Sequence, residues 1–239
     1  MQYVKERASK HTSHVVRKIR TGLYTKIVFL VGAGISVDAG FPVFRGDGCD
    51  SVASSLSKDT PSFRIHDTLA LFAEIECEPT DFHKLMHKHA SRIYTQNIDG
   101  LEVDDGRTVW CHGKLSDGAT CTNCGKVISW DEYKGIISNV YVSCSSCDGD
   151  LRPNIILYGD EVTFDFKQAK LDISNADLVV CAGTSLSVFP FADLMNSVVG
   201  DLLIVEKNVT PSHTDHLSKD GRYLYIGDCQ DFARECASI

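Results

Sequence analysis

The sequence lacks three features that would each point to a particular class of protein. No apolar run approaches the roughly 20 residues that a membrane-spanning helix needs, because the longest, residues 27–33, meets the glycines at 32 and 34. Lys and Arg number 24 against 32 Asp and Glu, and the net charge of -8 argues against tight binding to the nucleic-acid backbone. The N-terminus lacks the order of charged, apolar and small residues that marks a signal peptide. We therefore expect no membrane span and no direct nucleic-acid contact, and the acidic balance favours basic partners.

The composition describes a globular chain. Hydrophobic residues make up 43% and charged residues 23% of the 239 residues, which suits one large domain or a domain with a sizeable insertion. Ten cysteines are too few for a small secreted disulfide scaffold. We therefore expect a reducing compartment, the cytoplasm, the nucleus or both, in which clustered cysteines bind metal.

Strand-like and helix-like segments alternate along the chain. Short β-rich runs lie at residues 26–31, 92–95, 154–158, 177–182, 201–205 and 222–226, and helical patterns at 66–76, 81–89 and 188–198. Val15, Val16, Ile19 and Leu23 have the spacing of a packed first helix, whereas residues 47–62 have no strand pattern and predict a mobile loop. This alternation predicts an α/β fold in which a doubly wound, mostly parallel sheet binds its ligands at the carboxyl ends of the strands.

Four of the cysteines form two C-x2-C pairs. Cys121 and Cys124 are separated from Cys144 and Cys147 by 19 residues, a spacing at which two knuckles complete one tetrahedral zinc site. Because sulfur fills all four positions, no position stays open for water. We therefore expect the metal to be structural rather than catalytic.

Other metal-binding or nucleophilic residue types lack such a pattern. The remaining six cysteines are scattered, and most are interpreted as small buried apolar residues. His83 and His87 lie four residues apart on a predicted helix, but the glutamate of the H-E-x-x-H zinc motif is missing. We interpret these two histidines as part of a solvated helix face.

A glycine turn follows the first predicted strand and precedes a predicted helix. Gly32 and Gly34 match the first two glycines of the dinucleotide-binding fingerprint, which let the backbone approach a pyrophosphate. Val37 stands where the third glycine would be, and residues 47–62 offer no second strand ending in an acid that would hold the ribose. The pattern predicts a nucleotide bound in a pose unlike that of a conventional dehydrogenase, which stays an alternative on fold alone.

A series of motifs surrounds these features, in the order Gly32-Ala33-Gly34-Ile35-Ser36, Gly40-Phe41-Pro42-Val43-Phe44-Arg45-Gly46, Tyr94-Thr95-Gln96-Asn97-Ile98-Asp99-Gly100-Leu101-Glu102, His112-Gly113, the cysteine quartet, Tyr158-Gly159-Asp160 and Gly183-Thr184-Ser185-Leu186. This order resembles the sirtuin family of NAD-dependent protein lysine deacylases. The resemblance implies a Rossmann-like NAD-binding domain (1–46, 90–118 and 151–239), a cofactor loop with a helical insertion (47–89) and a smaller inserted zinc-ribbon domain (119–150). NAD and an acyl-lysine peptide would meet in the cleft, where the acyl group passes to ADP-ribose and nicotinamide is released.

The resemblance also implies roles for individual residues. His112 would be the catalytic base, and Asn97 and Asp99 would orient the ribose and the nicotinamide amide. NAD would be held by Gly32, Ala33, Gly34, Ser36, Ala39, Phe44, Arg45, Gln96, Asn97, Ile98, Asp99, His112, Gly183, Thr184, Ser185, Glu206, Lys207, Asn208 and Cys229. The acyl-lysine would be held by Phe44, Ile156, Leu157, Tyr158, Gly159 and Val188. One structural zinc would be bound by Cys121, Cys124, Cys144 and Cys147.

Three positions depart from the family pattern. Val43 stands where the family usually has Asp, Tyr158-Gly159-Asp160 replaces Phe-Gly-Glu, and Glu206-Lys207-Asn208 replaces Asn-x-Glu. The first and third changes are expected to bear on the cofactor loop and on NAD affinity. We expect a deacetylase acting on acyl-lysine proteins or peptides, with histone tails among the candidates and acetyl or an apolar acyl chain preferred. A protein mono-ADP-ribosyltransferase and a catalytically weak zinc-bearing binding module stay open as alternatives.

Overall fold

A parallel sheet forms the centre of the fold. The computed structural model describes residues 12–43, 50–139 and 142–237, and the strands of this part are β1 (Ile27–Val31), β2 (Arg92–Thr95), β3 (Thr108–Trp110), β4 (Ala119–Cys121), β5 (Val127–Ile128), β6 (Leu151–Pro153), β7 (Leu178–Ala182), β8 (Asp201–Glu206) and β9 (Arg222–Ile226). Six pair in parallel in the order β3-β2-β1-β7-β8-β9. Every residue of β1 and β7 is buried, as expected of central strands covered on both faces. The strand order reverses between β1 and β7, and ligand crevices open at such a reversal.

Helices cover both faces of this sheet, which confirms the predicted doubly wound α/β fold. The helices are α1 (Thr12–Arg20), α2 (Asp50–Ser55), α3 (Ser62–Ala73), α4 (Asp81–His89), α5 (Trp130–Ile137), α6 (Phe166–Ser174), α7 (Pro211–Thr214) and α8 (Cys229–Ala237). On one face, α1, α4 and α8 share a core in which the Phe82 ring packs against Phe29 and Phe232. On the other face, α6 packs beside a 3-10 helix at Phe191–Ser197. Among the described helices, none is long and apolar enough to span a membrane.

A second, smaller lobe stands beside the carboxyl ends of the parallel strands. Its three-stranded antiparallel sheet has the order β5-β4-β6 and shares one apolar core with α3 and α5, in which Leu69, Tyr133 and Leu151 are almost fully buried. The His66 ring on α3 donates a hydrogen bond to the Leu151 carbonyl at 2.9 Å. By contrast, Phe82 on α4 lies in the core of the large sheet. The predicted insertion over residues 47–89 therefore contributes helices to both lobes.

The predicted strand over residues 154–158 is wrong. These residues join no ladder, and only isolated bridges connect Ile155 to Gly113 and Tyr158 to Ser57. The Asn154 side chain donates to the Asp117 carbonyl and accepts from the Thr120 hydroxyl, each at 2.8 Å, and so anchors the chain where β6 ends. The apolar residues that follow line a cavity and do not belong to a sheet. Both environments favour apolar side chains, so the sequence pattern is the same.

Further local predictions need correction. Residues 47–62, predicted as a loop, include α2, and the helix predicted over 188–198 is the shorter 3-10 helix at Phe191–Ser197. Apolar residues three and four apart fit both helix types, so the pattern does not separate them. Leu23 is 66% exposed, because α1 ends before it and Gly22, at a φ of +68°, turns the chain. Sequence patterns did not predict the strands β3, β4, β5 and β6 or the helices α5, α6, α7 and α8.

Candidate active site

The glycine turn after β1 packs against the turn after β7. Gly34 donates its N–H to the Gly183 carbonyl at 2.9 Å, and a Cβ on Gly34 would lie 2.6 Å from the Gly183 Cα. The turn continues into two short 3-10 helices, Ala33–Ile35 and Val37–Ala39, rather than the long helix of a dinucleotide fold. Val37, which occupies the position of the third fingerprint glycine, is 47% exposed. No close contact between a helix and the sheet therefore requires glycine at this position. By contrast, the neighbouring turn requires glycine at positions 32 and 34, whether or not a ligand is bound.

A cavity of about 590 Å³ opens at this end of the sheet, between the two lobes. Of the residues predicted to bind NAD, it is lined by Gly32, Ala33, Gly34, Gln96, Asn97, Ile98, His112, Gly183, Thr184, Ser185, Glu206 and Asn208. Of those predicted to bind the acyl-lysine, it is lined by Ile156, Leu157, Tyr158, Gly159 and Val188. One continuous space thus brings together both predicted sets.

Some predicted residues do not face this cavity. Ser36, Ala39, Asp99, Lys207 and Cys229 are absent from its described lining, and Phe44 and Arg45 lie outside the described residues. Conversely, the cavity is also lined by residues to which the sequence assigned no binding role: Val43, Leu56, Ile155, Asp160, Val162, Phe189 and Thr210. Phe189 could have been predicted from the sequence, since it is an aromatic residue directly after the predicted Val188. In the structure its side chain is 73% exposed.

His112 follows β3 and is held from two sides. Its Nδ1 lies 3.0 Å from the Gln96 carbonyl, and because a carbonyl only accepts, Nδ1 carries the proton and Nε2 keeps a free lone pair. The His112 carbonyl accepts from the Ile156 N–H at 2.8 Å. Gly113 follows at a φ of +72°, and a Cβ there would lie 2.6 Å from the Asn154 carbonyl oxygen. Burial lowers the pKa of His112, so the ring is neutral at neutral pH and able to accept a proton.

The opposite end of the cavity is polar. Thr184 donates its hydroxyl to Gln96 Oε1 at 2.6 Å, and its carbonyl accepts from the buried His213 ring at 2.8 Å. Glu206 ends β8, and burial raises its pKa to about 7 although backbone N–H groups, including that of Thr184, donate to it. Glu206 can therefore accept from a hydroxyl or carry a proton itself. Hydrogen-bonding groups of both kinds suit the ribose and adenine of a nucleotide.

Behind this cavity lies a buried polar cluster. Asn97 is 2% exposed and donates its side-chain amide to the Ser36 hydroxyl at 3.3 Å, and Asp99 accepts from the Leu101 N–H at 3.0 Å. His83, predicted to be solvated, is 3% exposed, and its ring approaches Asp99 and Glu102 to within 4.8 Å. Burial lowers its pKa to about 4. The prediction was wrong for His83 because its Nδ1 accepts from the Thr80 N–H at the start of α4, at 3.2 Å, and the ring lies buried beside Asp99 and Glu102.

The four predicted zinc ligands come together in the small lobe. The Sγ atoms of Cys121 and Cys147 lie 3.5 Å apart, those of Cys124 and Cys144 lie 3.7 Å apart, and all four lie within 4.8 Å of one another. Four sulfurs about 2.3 Å from one zinc ion would be roughly 3.8 Å apart, so this arrangement fits a tetrahedral ion. The backbone N–H groups of Cys124 and Ser146 point at Cys121 and Cys144 sulfurs, as thiolates require.

The sequence matches the model of the Sir2 family over residues 32–190, more than half of the chain. The chain belongs to the Sir2 family. This chain is 31% identical over 241 residues to NAD-dependent protein deacetylase sirtuin-3 of Mus musculus. The aligned region covers 90% of this chain and 71% of the relative. It is 30% identical over 240 residues to NAD-dependent protein deacetylase HST2 of Candida albicans, with 90% of this chain and 72% of the relative covered.

Solved Sir2 structures share the fold. A complex of Sir2 with p53 peptide and NAD+ superimposes on this Sir2-family chain with a TM-score of 0.70 at 29% identity, covering 90% of this chain and 93% of that one. A complex of a Sir2 variant with deacetylated p53 peptide and 3′-O-acetyl ADP-ribose gives a TM-score of 0.76 at 27% identity, covering 95% and 96%. The family match ends before Glu206 and Asn208, so their place in the cavity rests on the structure of this chain.

Proposed function

We propose that this chain is an NAD-dependent protein lysine deacetylase that transfers the acyl group of an acyl-lysine to ADP-ribose. One observation carries the proposal: a neutral, half-buried histidine with a free Nε2 faces a cavity that is polar at one end and apolar at the other. Gln96, Thr184 and Glu206 line the polar end, which suits a nucleotide. The chemistry that NAD supplies there is an electrophilic ribose carbon with nicotinamide as the leaving group.

His112 supplies the base. Its Nε2 would accept a proton from a ribose hydroxyl of bound NAD, and the Gln96 carbonyl, 3.0 Å from Nδ1, would stabilise the resulting imidazolium. Asn97 keeps one buried oxygen, Oδ1, without a partner among the described residues, and a ribose hydroxyl would donate to it. Leu157 and Val188 line the cavity and would exclude water from a bound acyl group, which would protect the reacting carbon of NAD from hydrolysis.

The backbone around Tyr158 offers a docking edge for the peptide. The Tyr158 N–H donates to the Leu56 carbonyl at 2.9 Å, and the Tyr158 carbonyl accepts from the Lys58 N–H at 3.0 Å. The chain then turns at Gly159, which has a φ of +94°. Within the described chain, neither the N–H nor the carbonyl of the exposed Gly159 has a backbone partner. An extended peptide would pair there as an added strand, with its lysine side chain entering the cavity beside Val188.

The substrate class is a protein or peptide carrying an acylated lysine. Acetyl or a short apolar acyl group fits the lining of Ile156, Leu157 and Val188. A net charge of -8 favours basic sequences around the lysine, which makes histone tails one set of candidates. A cytoplasmic or nuclear location, or both, would give access to such substrates, and we propose it together with them.

Mass spectrometry tests the proposal directly. The zinc-loaded protein and its His112→Ala variant are each incubated with NAD and an acetyl-lysine peptide. We expect the wild type alone to convert the peptide to the free-lysine form and to produce O-acetyl-ADP-ribose and nicotinamide in equal amounts. ADP-ribose joined stably to a protein without loss of the acetyl group would instead indicate a mono-ADP-ribosyltransferase. An unchanged acetyl-peptide, together with unchanged longer apolar acyl-peptides, would refute deacylation.

A further inference from the structure

Glu102 carries a buried carboxyl group that the proposed mechanism does not use. It is 5% exposed and lies behind the cavity, beyond Asn97, without lining the cavity itself. A buried carboxyl group is costly unless hydrogen bonds and charge compensate it. Its surroundings therefore indicate what it does.

One oxygen of Glu102 collects two hydrogen bonds from the segment that carries Asn97. Oε1 accepts from the Thr95 hydroxyl at 2.5 Å and from the Asn97 side-chain amide at 3.4 Å. The Thr95 hydroxyl oxygen in turn accepts from the Asn97 backbone N–H at 3.0 Å. Glu102 is thus connected to Asn97 twice, through the side chain directly and through the backbone by way of Thr95.

These bonds select one of the two orientations of the Asn97 amide. Nδ2 donates to Ser36 Oγ at 3.3 Å and to Glu102 Oε1, and this leaves Oδ1 buried without a partner in the described structure. Turning the amide by half a rotation would place Oδ1 against Oε1, two acceptors without a proton between them. Asn97 lines the cavity, so the selected orientation makes it present an acceptor to a hydroxyl of the ligand.

The protonation state of Glu102 does not undo this selection. Burial and the nearby Asp99 raise the pKa of Glu102, because two neighbouring carboxyl groups resist carrying two charges. In the charged and the neutral form alike, Oε1 keeps lone pairs that accept from Thr95 and Asn97. Its other oxygen, Oε2, has no partner among the described residues, and it is the atom on which a proton can reside.

We propose that Glu102 is a positioning residue for the NAD site: its Oε1 locks the side-chain amide of Asn97 so that Oδ1 accepts from a ribose hydroxyl of the cofactor. This role rests on the proposed function, since it concerns the same cavity. Glu102 touches neither substrate and acts only through Asn97. It therefore affects the cofactor and leaves peptide docking at Gly159 and Val188 unchanged.

Two substitutions at this position separate the role from simple packing. Glu102→Gln keeps an acceptor oxygen for Thr95 and Asn97 and resembles the neutral acid, whereas Glu102→Leu keeps the volume and removes the acceptor. Glu76→Leu, at an exposed position outside the cavity, is the matched control. Because Leu leaves two buried donors without an acceptor, kcat/KM for NAD should fall by about 10- to 100-fold. Glu102→Gln should stay within about threefold of the wild type, and the KM for the peptide should hardly change in any variant.

The experiment combines three measurements on the zinc-loaded full chain. Steady-state kinetics with NAD and peptide varied separately give the two KM values. Titration calorimetry gives the NAD dissociation constant. The side-chain NH2 signals of Asn97 in 15N NMR spectra, assigned with Asn97→Asp, report the hydrogen bond through their rate of exchange with water. Slow exchange in the wild type and Glu102→Gln, with fast exchange and weaker NAD binding in Glu102→Leu, supports the proposal.

Calorimetry and NMR do not depend on turnover, so a failure of deacetylation would not obscure the result. Slow Asn97 amide exchange in a folded Glu102→Leu variant would overturn the proposal, as would NAD binding equal to that of the wild type. Equal losses for Glu102→Gln and Glu102→Leu would also overturn it, since they would indicate that the charge matters and not the acceptor. Should Glu102→Leu fail to fold, Glu102→Met supplies a more flexible side chain without an oxygen acceptor and is read by the same criteria.

Discussion

Replacing Gly34 by alanine should destabilise the protein through a contact between two backbone turns. The added Cβ would lie 2.6 Å from the Cα of Gly183 and 3.0 Å from its carbonyl oxygen, where ordinary contact begins at 3.4 Å. One turn must therefore move by about 0.8 Å, and no flexible side chain is present to yield in its place. The movement also strains the hydrogen bond from the Gly34 N–H to the Gly183 carbonyl.

The same substitution at Gly135 should have the opposite effect. Gly135 lies in the exposed part of α5, and a Cβ there meets nothing within 4 Å. Alanine in a helix interior is favoured over glycine, so Gly135→Ala should stabilise the protein by about 0.5–1 kcal/mol. Overpacking and a weakened hydrogen bond together should make Gly34→Ala less stable by about 2–4 kcal/mol. The difference in sign separates steric contact from any general effect of alanine.

Urea denaturation followed by circular dichroism measures both changes, and NAD titration calorimetry measures the site. We expect the midpoint to fall for Gly34→Ala and to rise for Gly135→Ala, with NAD binding weakened only in Gly34→Ala. A Gly34→Ala protein as stable as the wild type would refute the argument that the neighbouring turn requires glycine. Weakened NAD binding without destabilisation would show that the glycine serves the ligand alone.

Three further predictions concern the metal, the base and the docking edge. Chelating the zinc, or Cys144→Ser, should unfold the small lobe, expose the core around Tyr133 to a hydrophobic dye and abolish turnover; a chelated protein with unchanged dye binding would contradict a structural metal. Because burial lowers the pKa of His112, kcat/KM should rise with pH through a midpoint below 6.5 and then level off, and a midpoint above 6.5 in a pH-rate profile would contradict a half-buried base. Asp160 accepts from the Leu157 N–H at 2.8 Å and pairs with Arg152, so Asp160→Ala should raise the KM for the peptide about 3- to 10-fold and leave that for NAD unchanged. Equal changes in the two KM values would argue against a role confined to the peptide edge.

Local patterns in the sequence were sufficient for the centre of the fold and for the metal site. The apolar run of β1 and the β-rich run of β9 predict strands because this signal depends only on the residues of the strand itself, and the observed bounds of β9 are those predicted. The two C-x2-C pairs predict the zinc site because each pair forms its own knuckle, and the remaining problem is only to bring two knuckles together. Motif order was enough to place His112 and Gln96 in one site, since both stand at the carboxyl ends of neighbouring strands.

Contacts between distant segments could not be predicted in this way. Residues 154–158 look like a strand because they are apolar, but they line a cavity, and hydropathy does not distinguish the two environments. His83 looks solvated beside His87, whereas the fold buries its ring beside Asp99 and Glu102, which belong to the segment after β2. Val43 enters the cavity from a loop that carries no periodic pattern, and Phe189 enters it from a turn inside the segment whose periodicity predicts a helix.

The sequence by itself determined five strands of the parallel sheet (β1, β2, β7, β8 and β9), how the four cysteines group and which polar motifs stand at strand ends, because each depends on residues within a few positions of one another. Only the tertiary structure decided that Gly34 must be glycine, since the atom that forbids a Cβ belongs to Gly183. It also decided the orientation of the Asn97 amide, which depends on the Glu102 carboxyl group. The turn from Asp99 to Glu102 brings that carboxyl group back to Asn97. The physical reason is that a periodic pattern depends on residues that are neighbours in the sequence. Steric exclusion and hydrogen bonding instead act between any atoms that the fold brings within about 3 Å of each other.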